Sequence, residues 1–272
     1  MPGPLVSIVM PVHNTAPYLQ ESVESMLSQD YANIEFILIN DGSTDHSADV
    51  LAGFRDSRIR LYHNDGNKGL VYTLNRGLEL ANGTYIARMD GDDISLPGRI
   101  SRQVAYLESH PQAGVVAARV ELVNEQGASI GNWEDDARHI TATDIRRFLP
   151  LNNCIAHPSV MARAALLKGY GYRPEQSQAE DYDLWLRLAA DGVEIHKIGE
   201  VLVKHRMVRD SYTRRRQQNV FRKLAETKRR FALHAIAQGR VNGFICRTLL
   251  LSGIDSAKAI IKSTAKVNTC IP

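Results

Sequence analysis

With 272 residues, 44% of them hydrophobic and 23% charged, the chain has a folded globular composition and the length for one large α/β domain, with or without an appendage. No apolar run reaches the roughly 18 residues a membrane-spanning helix needs, and Cys154, Cys246 and Cys270 are too scattered for a zinc or redox motif. The formal charge of +3 hides an asymmetry: between Lys204 and Arg230 eleven basic residues face only Asp210 and Glu226.

The chain opens without a basic n-region, and its first apolar run is short and strand-like, so a cytosolic protein is expected. That run, Leu5 to Val12, reads as a buried parallel strand ending at Pro11-Val12-His13-Asn14-Thr15. A helix follows, with Pro17 near its start and Leu19, Val23, Met26 and Leu27 on one face. Ile34 to Ile39 is the next strand, followed by Asn40-Asp41-Gly42-Ser43-Thr44-Asp45 and a helix to about Phe54. Ser43 or Thr44 is the expected helix cap, leaving the Asp41 side chain free at the strand's exit. Ile59 to His63 begins a third unit whose helix carries Leu70, Leu74, Leu78 and Ala81. Its glycines in Asp65-Gly66-Asn67-Lys68-Gly69 match neither a dinucleotide fingerprint nor a P-loop.

The fourth strand, Tyr85 to Met89, runs into Asp90-Gly91-Asp92-Asp93. Three carboxylates within four positions repel one another, so a fold that gathers them calls for a cation. An EF-hand is excluded, because counting from Asp90 places Ile94, Ser95 and Ser101 where an oxygen ligand, Gly and Glu are required. Strands alternating with helices at this pitch predict a right-handed, mostly parallel sheet, whose carboxyl edge binds ligands.

Beyond Pro111 two shorter strands are expected at Gly114–Ala118 and Val120–Val123, then a polar loop from Gly127 to Arg138. Trp133, among Glu134, Asp135 and Asp136, is either a sugar platform or an edge packing residue. Thr141 to Phe148 reads as a short helix and Ile155 to Met161 as a strand. In the helix that starts near Glu180, Tyr182, Trp185 and Leu186 share a face, and the dipole is expected to lower the Asp181 pKa and keep it ionised. Residues 214–230 read as a basic amphipathic helix, either packed on the domain or drawn to anionic lipid; an apolar stripe from Phe244 to Ile254 follows. Nucleic acid is not an expected partner, because no stacking aromatics are interleaved with these charges.

Taken together, Ser7 to Asn14, Asn40 to Asp45, Asn67 to Leu70, Ile86 to Asp93 and Ala179 to Asp183 resemble glycosyltransferase family 2, the inverting enzymes of GT-A fold. Each stretch is short, but their order and spacing cover roughly residues 5 to 206. The resemblance implies residues 1–95 as the nucleotide-sugar half, 96–205 as the acceptor half, and 206–272 as a helical C-terminal region. It implies a UDP-sugar donor, with a dTDP-sugar as second choice, and a glycan or lipid-linked oligosaccharide acceptor met in the cytoplasm or at the membrane's inner face. A nucleotidyltransferase or a non-catalytic sugar-nucleotide binder is the alternative.

The same resemblance implies the site residues. Pro11, Val12, Asn14, Asp41, Lys68, Gly69 and Arg88 would hold the nucleotide, Asp41 accepting from the imide N–H of uracil or thymine. Asp92 would hold Mg2+ or Mn2+ against the diphosphate, and Asp90 the ribose, the sugar or a metal-bound water. Asp181 would be the base, Glu180 the second candidate, and Asp183 a cap or a solvent-facing residue. Asp93, Trp133, His157, His205 and Arg206 would contact donor or acceptor. Two departures stand out: Val208 occupies the position of a metal-ligand histidine, leaving His205, or Arg206 and Arg209, as substitutes; and Leu74 replaces an arginine whose contact Arg76 or Arg88 would supply.

Overall fold

Val6–Val12 (β1) and Ile34–Asn40 (β2) are buried along their whole length, as strands covered on both faces must be. They belong to a computed structural model that describes residues 3–177, 179–208 and 220–268, with side chains through residue 261. Ile59–His63 (β3) pairs parallel with β2, and Tyr85–Arg88 (β4) pairs parallel with β1 on its other side. Helices Ala16–Leu27 (α1), Ser47–Gly53 (α2) and Leu70–Leu80 (α3) connect them. Alternate residues of β1 feed two cores. Val9 meets Val71, Leu74 and Leu78 of α3, whereas Ile8 and Met10 meet Leu19, Val23 and Met26 of α1.

The chain steps outward from β1 to β3 and then returns to place β4 beyond β1. That reversal opens a crevice between the carboxyl ends of β1 and β4, the place where ligands enter open α/β sheets.

The second half extends the same sheet in mixed directions, giving the order β3-β2-β1-β4-β8-β6-β9-β5, with β7 on β6. Its elements are Ile94–Ser95 (β5), Arg99–Ser109 (α4), Ala113–Val123 (β6), Ser129–Asn132 (β7), Glu134–Arg138 (α5) and Ala142–Phe148 (α6). Met161–Arg163 (β8), Ala164–Tyr170 (α7), Glu180–Ala190 (α8) and Glu194–Arg206 (β9) follow. The two strands expected after Pro111 are one, β6, which keeps pairing with β9 across register shifts around Arg119. The loop expected from Gly127 to Arg138 folds as β7 and α5. The strand expected from Ile155 is a short 3₁₀ turn at His157–Ser159 before β8, since Pro158 has no N–H to give a ladder.

Val220–Ala237 (α9) and Gly243–Asn268 (α10) form the C-terminal layer. Of the helix expected over 214–230, residues 214–219 lie outside the described residues, as does Arg209; from Val220 the helix runs on to Ala237. Phe231, Ala232, Ala235 and Ile245 join the core that holds Trp185, so α9 packs on the domain. Lys228, 1% exposed, donates to Asp255 Oδ2 and to the Leu151 carbonyl, both at 2.7 Å. No described helix is long and apolar enough to cross a membrane.

A second buried cation ties β9 to α5. Lys197 lies 2.8 Å from Asp136 Oδ1 and donates to the carbonyls of Asp136 and Cys154 at 2.7 Å, while Asp136 Oδ2 accepts from Val120 N. Removing one partner strands the other charge. Lys197→Met should therefore cost about 3–5 kcal/mol in urea denaturation, and Lys197→Met with Asp136→Leu should recover much of it. A single variant as stable as the parent would show that the pair contributes nothing.

Candidate active site

The exits of β1, β2 and β3 are knitted together by side chains. Asn14 adopts φ 54°, unusual for a residue with a Cβ, and this turns its Oδ1 to accept from Thr44 N (2.8 Å) and Asp45 N (3.3 Å). Its own N–H donates to Ser43 Oγ. Neither Ser43 nor Thr44 caps α2, whose N-cap is His46 without a side-chain cap bond; Asp45 just before it accepts from Ser47 N and Ala16 N through its two oxygens. Gly42 has φ 62°, and a Cβ there would meet the Gly66–Asn67 peptide at about 2.5 Å, so only glycine lets these loops touch.

Asp41 is not free, as expected from the sequence, but 3% exposed. Its Oδ1 accepts from Asn64 Nδ2 (2.7 Å) and Lys68 N (2.8 Å), and its Oδ2 from Gly69 N (2.9 Å). Lys68 and Gly69 thus serve through their backbones, with the Lys68 side chain in solvent. Pro11 and Val12 are buried in β1, and the Val12 carbonyl accepts from Asp41 N. Asn64, which sequence reasoning missed, is one residue past β3; the strand-exit rule applied at Asp41 would have found it.

At the end of β4 the carboxylates of Asp90, Asp92 and Asp93 offer oxygens within 4.8 Å of one another. They differ in surroundings. Asp93 is fully buried and accepts from Arg206 N (2.8 Å) and His205 Nδ1 (2.9 Å). Asp90 pairs with the buried Arg88 guanidinium, whose Nε has no hydrogen-bond partner among the described residues. Asp92 is half-buried; burial, then the charges of Asp93 and Asp90, push it up to about 8. A crowded oxygen donor whose ionised form is opposed by burial and by two neighbouring carboxylates, with only His205 offsetting them, fits a hard divalent cation.

His205 is bound to Asp93 and does not join the three-carboxylate cluster. Burial opposes its protonation, but Asp93 and its acidic neighbours outweigh this and raise it to about 9. Arg206 is committed to protein partners: Nε donates to the Asp92 carbonyl, Nη1 to those of Asn124 and Glu125, and Nη2 to Glu21. Its guanidinium also lies 4.8 Å from the Tyr18 ring centroid. Arg76 is likewise engaged, donating to the His63 carbonyl and Asn64 Oδ1.

Asp181 stands in the first turn of α8, where Asn153 Nδ2 donates to its Oδ2 at 3.0 Å. Its pKa is raised, against the expectation from the helix dipole. Burial outweighs the favourable Tyr182 N–H, Lys223, Arg88 and Asn153. Glu180 beside it is pushed up to about 8 by burial and by Asp181. Lys223 of α9 favours the charged form of both, and no motif in the sequence pointed to it. Asp183 neither caps nor faces solvent: it is fully buried and receives Arg187 Nε at 2.8 Å.

His157 is buried, hydrogen bonded to the Tyr172 hydroxyl at 2.8 Å and edge-on to Trp185. Burial, with Arg88 nearby, drives its pKa well below 6.5, so it is neutral. Trp133 is half-buried against Val120, Ala156 and Val203.

Arg206 is the main tie on the acidic turn. Arg206→Met should lower stability by about 3 kcal/mol, the worth of roughly two hydrogen bonds to charged groups, in chemical denaturation; an unchanged midpoint would contradict this role.

The model of the glycosyl transferase family 2 domain matches residues 7–169. A putative glycosyltransferase, EpsE of Bacillus subtilis, is 38% identical over 219 residues, 78% of this chain and 77% of its own length. The O-antigen biosynthesis glycosyltransferase WbnJ of Escherichia coli is 32% identical over 209 residues, 75% and 80% of the two chains. Among solved structures, S. aureus TarS 1–349 with UDP-GlcNAc superposes with TM-score 0.71 at 19% identity, covering 90% of this chain and 70% of that one. The mannosyltransferase PcManGT of Pyrobaculum calidifontis, solved with GDP-Man and Mn2+, gives 0.63 at 17% identity, with 98% and 79% covered. The chain belongs to glycosyltransferase family 2 and is a transferase of GT-A fold.

Proposed function

We propose that the protein is a metal-dependent, inverting glycosyltransferase that moves a hexose from a UDP-sugar, or as second choice a dTDP-sugar, to a hydroxyl of a glycan or lipid-linked oligosaccharide. The observation that carries this reading is the convergence of Asp90, Asp92 and Asp93 at the β1–β4 crevice. Nucleotide sugars in the solved neighbours TarS and PcManGT, and Mn2+ in the latter, support the donor class and the cation. WbnJ's role in O-antigen synthesis supports a polysaccharide acceptor.

In this reading the base of the nucleotide lies against Pro11, Val12 and Asn14, and Asp41 accepts from its imide N–H through Oδ2, which takes one donor in the free protein. Asp92 would hold Mg2+ or Mn2+, which would supply positive charge to stabilise the departing nucleoside diphosphate. Arg88 orients Asp90 toward the ribose or sugar, and Arg206 and His205 hold Asp93, which keeps the turn in place. Asp181 takes the acceptor's hydroxyl proton as that oxygen bonds to the anomeric carbon and the bond from carbon to the phosphate oxygen breaks. A base whose pKa burial has raised is better matched to that proton than an ordinary carboxylate.

Asp181→Asn should lower transfer by about 10²–10⁴-fold in a donor-consumption assay while leaving UDP affinity nearly unchanged. The parent's rate should rise with pH as Asp181 loses its proton, with the midpoint of the acid limb above the 3.8 of an ordinary aspartate. Unchanged turnover in the variant would remove Asp181 from the mechanism.

A further inference from the structure

The outward side of α10 is apolar where a packed domain has no need for it to be. Leu250 is 70% exposed, Ile254 45% and Ile261 67%, and steps of four and seven residues put them on one helix face. Arg247 and Lys258 flank this face, and Arg222 and Arg229 of α9 are exposed as well. The acidic residues of the two helices are occupied elsewhere: Glu226 pairs with Arg230, and Asp255 is buried on Lys228. An apolar stripe edged by cations complements an anionic lipid surface. A second copy is disfavoured, because the two faces would bring like charges together.

The helices also place this face relative to the chemistry. They are antiparallel, with Lys258 5.6 Å from the Phe221 ring and Lys228 on Asp255. Lys258 and Ile261 therefore lie toward the end where α9 begins, whereas Ile254, next to Asp255, stands level with Lys228 at the middle of α9. Lys223, Glu226, Thr227 and Arg230, from the first turn of α9 to its middle, share a polar cavity of about 160 Å³ with Ser177 and Ala179, directly before Glu180 and Asp181. The helix pair that presents the apolar face thus also borders the approach to the candidate base.

We propose that this face of α10 seats the enzyme on an anionic bilayer, so that an acceptor held by its lipid presents its hydroxyl at the start of α8. The inference rests on the reading of Asp181 as the base only for the acceptor's direction; the lipid contact stands on the surface alone.

Co-sedimentation of the full chain with phosphatidylethanolamine–phosphatidylglycerol vesicles, and with phosphatidylcholine vesicles, tests it. The parent should bind the anionic vesicles at least about tenfold more tightly than the neutral ones, and less tightly as salt shortens the Debye length. Leu250→Gln/Ile254→Gln/Ile261→Gln, and separately Arg222→Gln/Arg247→Gln/Lys258→Gln, should each lose about tenfold with unchanged circular dichroism and UDP affinity. Leu250→Gln alone, at the most exposed position, should lose part of the binding and serves if the triple variants misfold. No vesicle binding, equal binding to both compositions, or variants that bind like the parent would overturn the proposal. So would a dimeric parent that the apolar variant renders monomeric, since the face would then be a self-interface. Failure of the base assignment shows separately, as unchanged turnover of Asp181→Asn on a water-soluble acceptor, and leaves the vesicle result standing.

Discussion

Mutual repulsion among Asp90, Asp92 and Asp93 is the constraint to which the rest of the structure answers. Three carboxylates with oxygens within 4.8 Å are unfavourable unless cations are supplied. The protein supplies them selectively. Arg88, two residues upstream at the end of β4, meets Asp90, while His205 and Arg206 arrive from β9 and meet Asp93. Asp92 has no such side-chain partner among the described residues, and its ionised form is the one that a bound metal would restore. The turn is thus held by protein at its ends and left electrostatically incomplete in its middle.

Its position follows from topology. The order of strand addition reverses between the parallel strands β1 and β4, which opens a crevice at their carboxyl ends. The walls of that crevice are hydrogen-bonded loops: Asn14 spans from β1 to the turn after β2, and Asp41 spans from β2 to the start of α3. Each spends its polar atoms on backbone N–H groups, which preorganises the loops before any nucleotide arrives. Arg88 favours the charged forms of Asp90 and Asp181 alike, and Lys223 of α9 favours that of Asp181, so in the proposed site the C-terminal helices form part of the wall.

Much of this was legible in the sequence because it is local. Continuous apolar runs marked β1, β2 and β4, helical spacing marked α1 and α3, and the polar residues at strand exits marked Asn14, Asp41 and Asp90 to Asp93. What the sequence hid was tertiary. The Arg119 interruption in β6 reads as a strand end but is a register shift that pairing with β9 bridges. The helix dipole acts on Asp181 locally and argues for a low pKa, whereas burial, contributed by distant segments, wins and raises it. Asp183 reads as a cap or a solvent-facing residue, but the fold buries it with Arg187 and Arg173 as partners. The partners of Asp93 are 112 and 113 residues away, beyond the reach of any motif.

The central claim is that the acidic turn clamps a cation against a diphosphate, with Asp92 as the ligand that the protein leaves unpaired. Titration calorimetry of UDP into the parent and Asp92→Asn, each with and without Mn2+, addresses it most directly. The account predicts that Mn2+ tightens UDP binding by the parent at least about tenfold, or roughly 1.4 kcal/mol, and that Asp92→Asn loses this gain while keeping its metal-free affinity. Equal UDP affinity with and without Mn2+ in the parent, or the same gain in Asp92→Asn, would contradict it.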